Sequence, residues 1–358
     1  MRIGLFGFPK TGKSTLFSLL TGAPPPVHGA REEVRVGMAR VPDPRLDRLA
    51  EMYHPKKFTP ATVEYVDIVG VEKGEAAEAL PLDQLRTADA LAHVVRGFRD
   101  DAIPHAEGPP DPPRDVSTME TELILADHTI ASRRIERLEL ALKKAQRDED
   151  RKELELLRKC LESLEREVPL RNLDFPEEDR KRLRGFTFLS LKPLLVVVNA
   201  DEADAKLLAG GASSFGLAGL EGKPATEVVA LSARIEGEIA QLDPGDAAAF
   251  RAELGIAEPA LDRMIRGSYR LLGRISFFTV GDDECRAWTI REGTPARSAA
   301  GAVHSDIERG FIRAELVAYD DLVAAGAWAA CRDRGTLRLE GKDYLVRDGD
   351  VINFRFGV

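Results

Sequence analysis

The stretch Gly7-Phe-Pro-Lys-Thr-Gly12-Lys13-Ser14 constrains this chain more tightly than any other, because it fits the phosphate-binding pattern Gly-x-x-x-x-Gly-Lys-Ser/Thr and lies between two apolar segments. Arg2–Phe6 before it reads as a strand, and Ser14–Leu20 after it reads as a helix closed by Gly22. A glycine loop between strand and helix aims backbone N–H groups and a helix N-terminus at one small volume suited to anionic oxygens. In that volume Lys13 is expected to reach the β and γ phosphates of a nucleotide as the catalytic cation, and the Ser14 hydroxyl to ligate Mg²⁺. Gly7, Phe8, Pro9, Lys10, Thr11, Gly12, Lys13, Ser14 and Thr15 are therefore the expected phosphate-side contacts. An ordinary glycine turn needs neither the lysine nor the hydroxyl at those spacings.

Val63–Asp67 alternates as a strand, Leu91–Val95 is another, and the aliphatic runs Leu194–Val198 and Val228–Leu231 read as buried parallel strands with helical stretches between them. The fold class expected is α/β, a parallel sheet of the P-loop NTPase kind with helices on both faces. Asp67-Ile-Val-Gly70 follows a strand, which puts a carboxylate at the strand end for Mg²⁺ and a flexible amide, Gly70, near a γ-phosphate. Asn199-Ala-Asp-Glu202 caps the strand Leu194–Val198, where such sheets hold a nucleobase, and Ser232-Ala233 follows the next strand. Guanine readers use Asn-Lys-x-Asp, whose aspartate accepts from two guanine donors. Here Ala200 and Glu202 stand in the Lys and Asp places, and the extra methylene displaces that acceptor, so adenine is expected to be preferred. Asn199, Glu202, Ser232 and Ala233 form the expected base pocket.

From about Met119 to Leu191 the pattern changes to long charged helices. Ile135, Leu138, Leu142 and Ala145 form one apolar seam, Leu154, Leu157, Leu161, Leu164 and Val168 another, and the charged stretch Arg147–Lys152 separates them. An antiparallel helical hairpin inserted into the α/β domain is expected. After Gly273 short strands with tight turns follow: Ile275–Val280, Glu284–Ile290, Phe311–Ala318, Leu337–Glu340, Tyr344–Arg347 and Val351–Phe356, with one helix near Ala296–Ile307. Two strands, a helix and further strands is the order of a β-grasp module. The expected divisions are residues 1–118 and 192–273 for the nucleotide-binding domain, 119–191 for the helical insertion and 274–358 for the β-grasp module. With 358 residues and 44% apolar content the chain can bury such cores. Its 51 Lys+Arg against 60 Asp+Glu, net −9, argue against general coating of nucleic acid but leave room for a local RNA contact. The longest aliphatic run, Leu194–Val198, is far short of the ~20 residues that span a bilayer, so no membrane partner is expected. With no secretory signal read at the start and Cys160, Cys285 and Cys331 far apart, the expected setting is the cytoplasm with reduced, structural thiols.

Together with Arg86-Thr-Ala-Asp-Ala90, Arg286-Ala-Trp-Thr-Ile-Arg291, His304–Ala314 and Glu340-Gly-Lys-Asp-Tyr344, these motifs resemble the YchF-type ATPases, a branch of the Obg-related P-loop NTPases, over essentially the whole chain. The resemblance implies an Mg²⁺-dependent, slow ATPase that prefers ATP over GTP, carries a helical arm and a C-terminal β-grasp (TGS) domain, and binds the ribosome, on its large subunit, as a translation or stress-related factor. It also implies that His105, in the loop after strand Leu91–Val95, approaches the γ-phosphate as a second catalytic group. Three departures accompany it. Val71 stands where Ras-like enzymes place a water-orienting Gln, although an apolar residue is usual in the resembled family. No Ser or Thr occurs between Gly22 and Phe58, where that family carries a switch threonine. Lys10 replaces an Asn that in relatives helps to hold a monovalent cation, placing a tethered ammonium there instead. The missing switch hydroxyl keeps a rival open: a non-hydrolysing adaptor for which ATP is a structural ligand.

Overall fold

A computed structural model of the chain describes residues 1–25, 34–68, 82–100, 108–208 and 210–357. These residues form two compact units, one built from Met1–Met38 and Glu64–Gly267, the other from Ala39–Val63 and Ser268–Val358. The segment Ala39–Val63, left by the sequence reading inside residues 1–118, is thus grouped with the C-terminal strands.

The first unit is organised by strands β1 (Arg2–Phe6), β2 (Arg35–Arg40), β4 (Thr62–Asp67), β5 (Ala90–Arg96), β6 (Leu194–Asn199) and β7 (Thr226–Leu231), after β3 (Lys57–Thr59) is set aside for the second unit. They lie in the order β2-β4-β1-β5-β6-β7. β1 pairs in parallel with both β4 and β5, and β5, β6 and β7 continue the parallel register. β5 and β6 are buried along their whole length, which is why their sequences read as continuous apolar runs rather than alternating ones. Because every one of these parallel strands points the same way, their C-terminal ends share one edge, and the motifs that follow β1, β4, β6 and β7 are gathered there.

The inserted arm begins earlier than its apolar seam. Pro112 and Pro113, residues that would break a helix in its interior, are the first residues of a 33-residue helix, Pro112–Lys144, capped by Asp111, whose carboxylate accepts from the Arg114 N–H. Proline is well placed there because the first helical N–H groups have no intrahelical partner. Met119 and Leu123 of this helix pack in the core of the sheet, whereas Ile135 and Leu138 pack against Leu154, Leu157 and Leu164 of the returning helix Asp148–Glu165. Only residues 145–147 break the helices, so most of the charged stretch is already the acidic first turn of the second helix, matching its dipole. Arg134 forks onto Glu153 at 2.7 and 3.0 Å across the seam.

Where the arm meets the sheet, Asp127 is fully buried and accepts from the Leu189 N–H (2.9 Å) and the Ser190 N–H (2.7 Å), with the Arg86 guanidinium at 3.4 Å. The carboxylate fixes the chain just before β6.

The second unit has strands β8 (Arg274–Thr279), β9 (Glu284–Arg291), β10 (Phe311–Ala318), β11 (Arg338–Glu340) and β12 (Asp350–Phe356), in the order β11-β10-β12-β8-β9-β3. Parallel pairing of β12 with β8, between antiparallel β8–β9 and β10–β12 pairs, gives the β-grasp arrangement. Two elements differ from the sequence reading. Tyr344–Arg347 is not a strand, because the Asp350 carboxylate takes the Arg347 N–H and the Tyr344 hydroxyl, both at 2.9 Å, leaving one bridge between Leu345 and Pro295. The single helix expected at Ala296–Ile307 is two, Ala296–Val303 and Ser305–Arg309, broken at His304, whose extended backbone lets its ring accept from the Asp306 N–H. Cys160, Cys285 and Cys331 are free and buried.

The Asp127→Ala variant strands buried N–H donors at Leu189 and Ser190, and its urea midpoint should correspond to a loss of about 2–4 kcal/mol. A loss below about 0.5 kcal/mol would show that the junction is held without it.

Candidate nucleotide-binding site

The chain leaves β1 through a loop that few sequences can adopt. Gly7 has φ 140°, Lys10 62° and Gly12 94°, all in the region that favours glycine. A Cβ on Gly7 would lie 2.4 Å from the Val94 carbonyl oxygen of β5, and one on Gly12 would lie 2.3 Å from Asn199 Nδ2. Both glycines are therefore required by close approach as well as by dihedral angle. Lys10 holds its left-handed conformation against a cost of about 1–2 kcal/mol for a residue with a Cβ, and its side chain is exposed at the crest of the loop.

Lys13 opens the helix Lys13–Thr21 and is buried; its Nζ donates to the carbonyls of Gly7 (3.0 Å) and Phe8 (2.7 Å). The Thr11 hydroxyl, also buried, donates to Phe8 O at 3.1 Å. Phe8 is buried, Ser14 half-buried and Thr15 exposed. Asp67 closes β4 at 6% exposure, and Arg35 Nη1 stands 4.0 Å from its Oδ2. Gly70, Val71 and His105 lie outside the described residues.

At the other end of the edge, Asn199 uses both halves of its amide. Nδ2 donates to Thr11 O at 3.0 Å, and Oδ1 accepts from the Ala233 N–H at 2.9 Å. One buried side chain thus joins the phosphate-side loop to the loop after β7. Ser232 caps the helix Ala233–Ile239 through the Ile235 N–H. Ala200 is packed into the core of the sheet rather than lying open at the edge. Glu202 is more exposed, and Arg234 Nε lies 3.1 Å from its Oε2.

His93, in the sequence only one more residue of an apolar strand, lies beneath the loop. It is 1% exposed, stacks on Phe6 with ring centroids 4.9 Å apart, and its Cδ2 would touch a Cβ on Gly7 at 3.2 Å. Burial, with the nearby Lys13 ammonium adding to it, pushes the imidazole down to about 3.

The comparisons with known proteins agree with this layout. A family model described as "50S ribosome-binding GTPase" matches residues 2–126, and the YchF GTPase C-terminal model, described as "Protein of unknown function (DUF933)", matches residues 274–357. A ribosome-binding ATPase YchF of Bacillus subtilis is 43% identical over 368 aligned positions that cover 99% of each chain. The protein of the same name from Pasteurella multocida is 40% identical over 100% of this chain and 99% of its own. The chain belongs to the YchF family. The solved YchF GTPase of Schizosaccharomyces pombe is 29% identical, superposes with a TM-score of 0.86, and the match covers 99% of this chain and 97% of that one. The YchF likeness therefore extends through the sheet, the arm and the β-grasp unit together, and the P-loop GTPase fold is shared.

Burial of neutral His93 makes an acid-stability prediction. Its folded value lies below the ordinary 6.5, so between about pH 3 and 6.5 the unfolded chain binds more protons than the folded one. The stabilisation is complete above pH 6.5 and is lost as the pH falls through that window, by at most ~1.4 kcal/mol per pH unit. Urea midpoints measured from pH 7 to 5 should fall more steeply for wild type than for His93→Phe. Parallel slopes would remove His93 as the cause.

Proposed function

We propose that the chain is an Mg²⁺-dependent P-loop NTPase that hydrolyses ATP in preference to GTP and uses its nucleotide state when bound to the ribosome. The observation that carries this reading is the convergence of Lys13, Ser14, Asp67 and the Asn199 bridge at the strand ends of one parallel sheet. Support for the ribosome as partner comes from relatives at 40–43% identity named ribosome-binding ATPases, which cover the chain end to end. A large-subunit site with an RNA contact belongs to the same proposal, as does a cytoplasmic setting. No helix among the described residues is long and apolar enough to cross a membrane.

The donor set suits Mg²⁺. Ser14 and Asp67 offer a hydroxyl and a buried carboxylate, both hard oxygens, and among the described residues no cluster of three or more His, Cys, Asp or Glu stands ready to cage a metal. A cation held by so few protein ligands takes the rest from phosphates and water, which is the habit of Mg²⁺. Held by Ser14 and Asp67, it would supply charge neutralisation to the phosphates. Lys13, released from the Gly7 and Phe8 carbonyls, adds a second cation to the same oxygens, and the loop N–H groups orient them. At the base end, Asn199 holds the pocket floor and Glu202 accepts from the exocyclic amino group that is the one donor on adenine's pairing edge, whereas guanine presents two adjacent donors. His105 is kept as the proposed group near the γ-phosphate.

The non-hydrolysing reading retains one observation in its favour, the absence of any Ser or Thr between Gly22 and Phe58. Steady-state hydrolysis of ATP and of GTP, with and without ribosomes, separates the two. The enzyme reading expects measurable ATP turnover, lost in Lys13→Ala. In equilibrium binding, Glu202→Asp should move the ATP/GTP affinity ratio toward GTP by about 5- to 150-fold, corresponding to a base-edge contact of about 1–3 kcal/mol. Nucleotide binding without turnover in any condition would leave the adaptor, and an unchanged ratio would remove Glu202 from the base pocket.

A further inference from the structure

The first switch segment has no hydroxyl to offer a metal, yet it delivers a different charged group to the same place. Arg35 opens β2, and its Nη1 is buried, makes no hydrogen bond among the described residues and faces Asp67 Oδ2 at 4.0 Å. Its Nη2 donates to the Pro24 carbonyl, and its guanidinium carbon lies 4.7 Å from the centroid of Phe17, which is fully buried in the helix that carries Lys13 and Ser14. Two residues along β2, a Cβ on Gly37 would lie 2.6 Å from Thr21 Cγ2, so the strand backbone packs directly on the Thr21 side chain at the end of that helix. The guanidinium is therefore fixed on three sides by a carbonyl, an aromatic face and a carboxylate.

The side chains are 24% exposed for Arg35 and 8% for Asp67, so the pair is only partly screened by solvent. At that separation the guanidinium charge offsets that of the Asp67 carboxylate, and a second cation drawn to the same carboxylate is repelled by the first. Its Nη1, without a hydrogen bond among the described residues, can also face phosphate oxygens, for which the planar donors of a guanidinium are suited.

We propose that Arg35 is a tethered cation of the metal and phosphate site: it neutralises Asp67 when Mg²⁺ is absent, supports metal-free nucleotide binding, and opposes Mg²⁺ when both are present. The proposal rests on reading Ser14 and Asp67 as the Mg²⁺ ligands. Its consequence is a wild-type protein whose affinity for nucleotide depends less on Mg²⁺ than the site would otherwise require.

The test measures equilibrium affinity for ATP by calorimetry, once in excess Mg²⁺ and once in EDTA at matched ionic strength, for wild type, Arg35→Ala, Arg35→Lys and Asp67→Asn, with thermal unfolding of each variant as the check on folding. Removal of the tethered charge should weaken binding in EDTA and leave it unchanged or tighter in Mg²⁺. The ratio of the two dissociation constants should rise about fivefold or more in Arg35→Ala, the lower edge of ordinary coupling between sites, and return toward wild type in Arg35→Lys. Equal weakening in both conditions would mean that Arg35 only braces β2 against the helix, and the proposal would be wrong. If Asp67→Asn keeps the full Mg²⁺ dependence of wild type, the metal-site reading itself fails. If Asp67→Asn abolishes that dependence while Arg35→Ala leaves the ratio unchanged, only the role given to Arg35 falls.

Discussion

Two hydrogen bonds made by one amide hold the candidate site together. Asn199 donates to Thr11 O in the loop after β1 and accepts from the Ala233 N–H in the loop after β7. Those loops lie on opposite sides of β6. Since Asn199 is buried, each bond it makes satisfies a group that would otherwise lie unpaired in the interior, at a cost of about 1–3 kcal/mol apiece. The position of Asn199 is itself determined by the sheet: β6 is buried on both faces and paired in parallel with β5 and β7, so its last residue has little freedom. The nucleotide-binding geometry thus descends from the aliphatic run Leu194–Val198 as much as from the glycine motif.

Beneath and beside the loop, charge and packing act in the same direction. His93 must remain neutral to pack between Phe6 and Gly7, and Lys13 above it favours that state. Asp67, a buried anion near an edge strand, has the Arg35 guanidinium 4.0 Å from its Oδ2. Among the described residues the Lys13 ammonium is held by the Gly7 and Phe8 carbonyls, partners that phosphate oxygens can replace.

Much of this was legible in the sequence for physical reasons that differ from motif to motif. Strands buried on both faces announce themselves as aliphatic runs, and the glycines at 7 and 12 are needed because neighbouring atoms leave no room for a Cβ. The arm showed through its apolar seam, but its beginning did not: Pro112 and Pro113 break helices in the interior and start them at the first turn, and only the Asp111 cap tells the two apart. Tyr344–Arg347 alternated like a strand and lost its ladder to a single carboxylate, Asp350. Ala39–Val63 gave no sign of belonging with the C-terminal strands, because pairing such as Lys57 with Glu284 depends on residues far apart in the chain. Arg35 and His93 were invisible for the same reason, since their meaning comes from what the topology sets beside them.

The dependence of both loops on Asn199 is best examined by hydrogen exchange on Asn199→Ala beside wild type, paired with ATP affinity. Faster exchange is predicted at the amides of Gly7–Ser14 and of Ser232–Ile235 together, with β5 and β6 unchanged, and a loss of affinity of about 10- to 100-fold. Loosening of one loop without the other, or both loops unchanged with wild-type affinity, would contradict the claim that this side chain joins the two ends of the site.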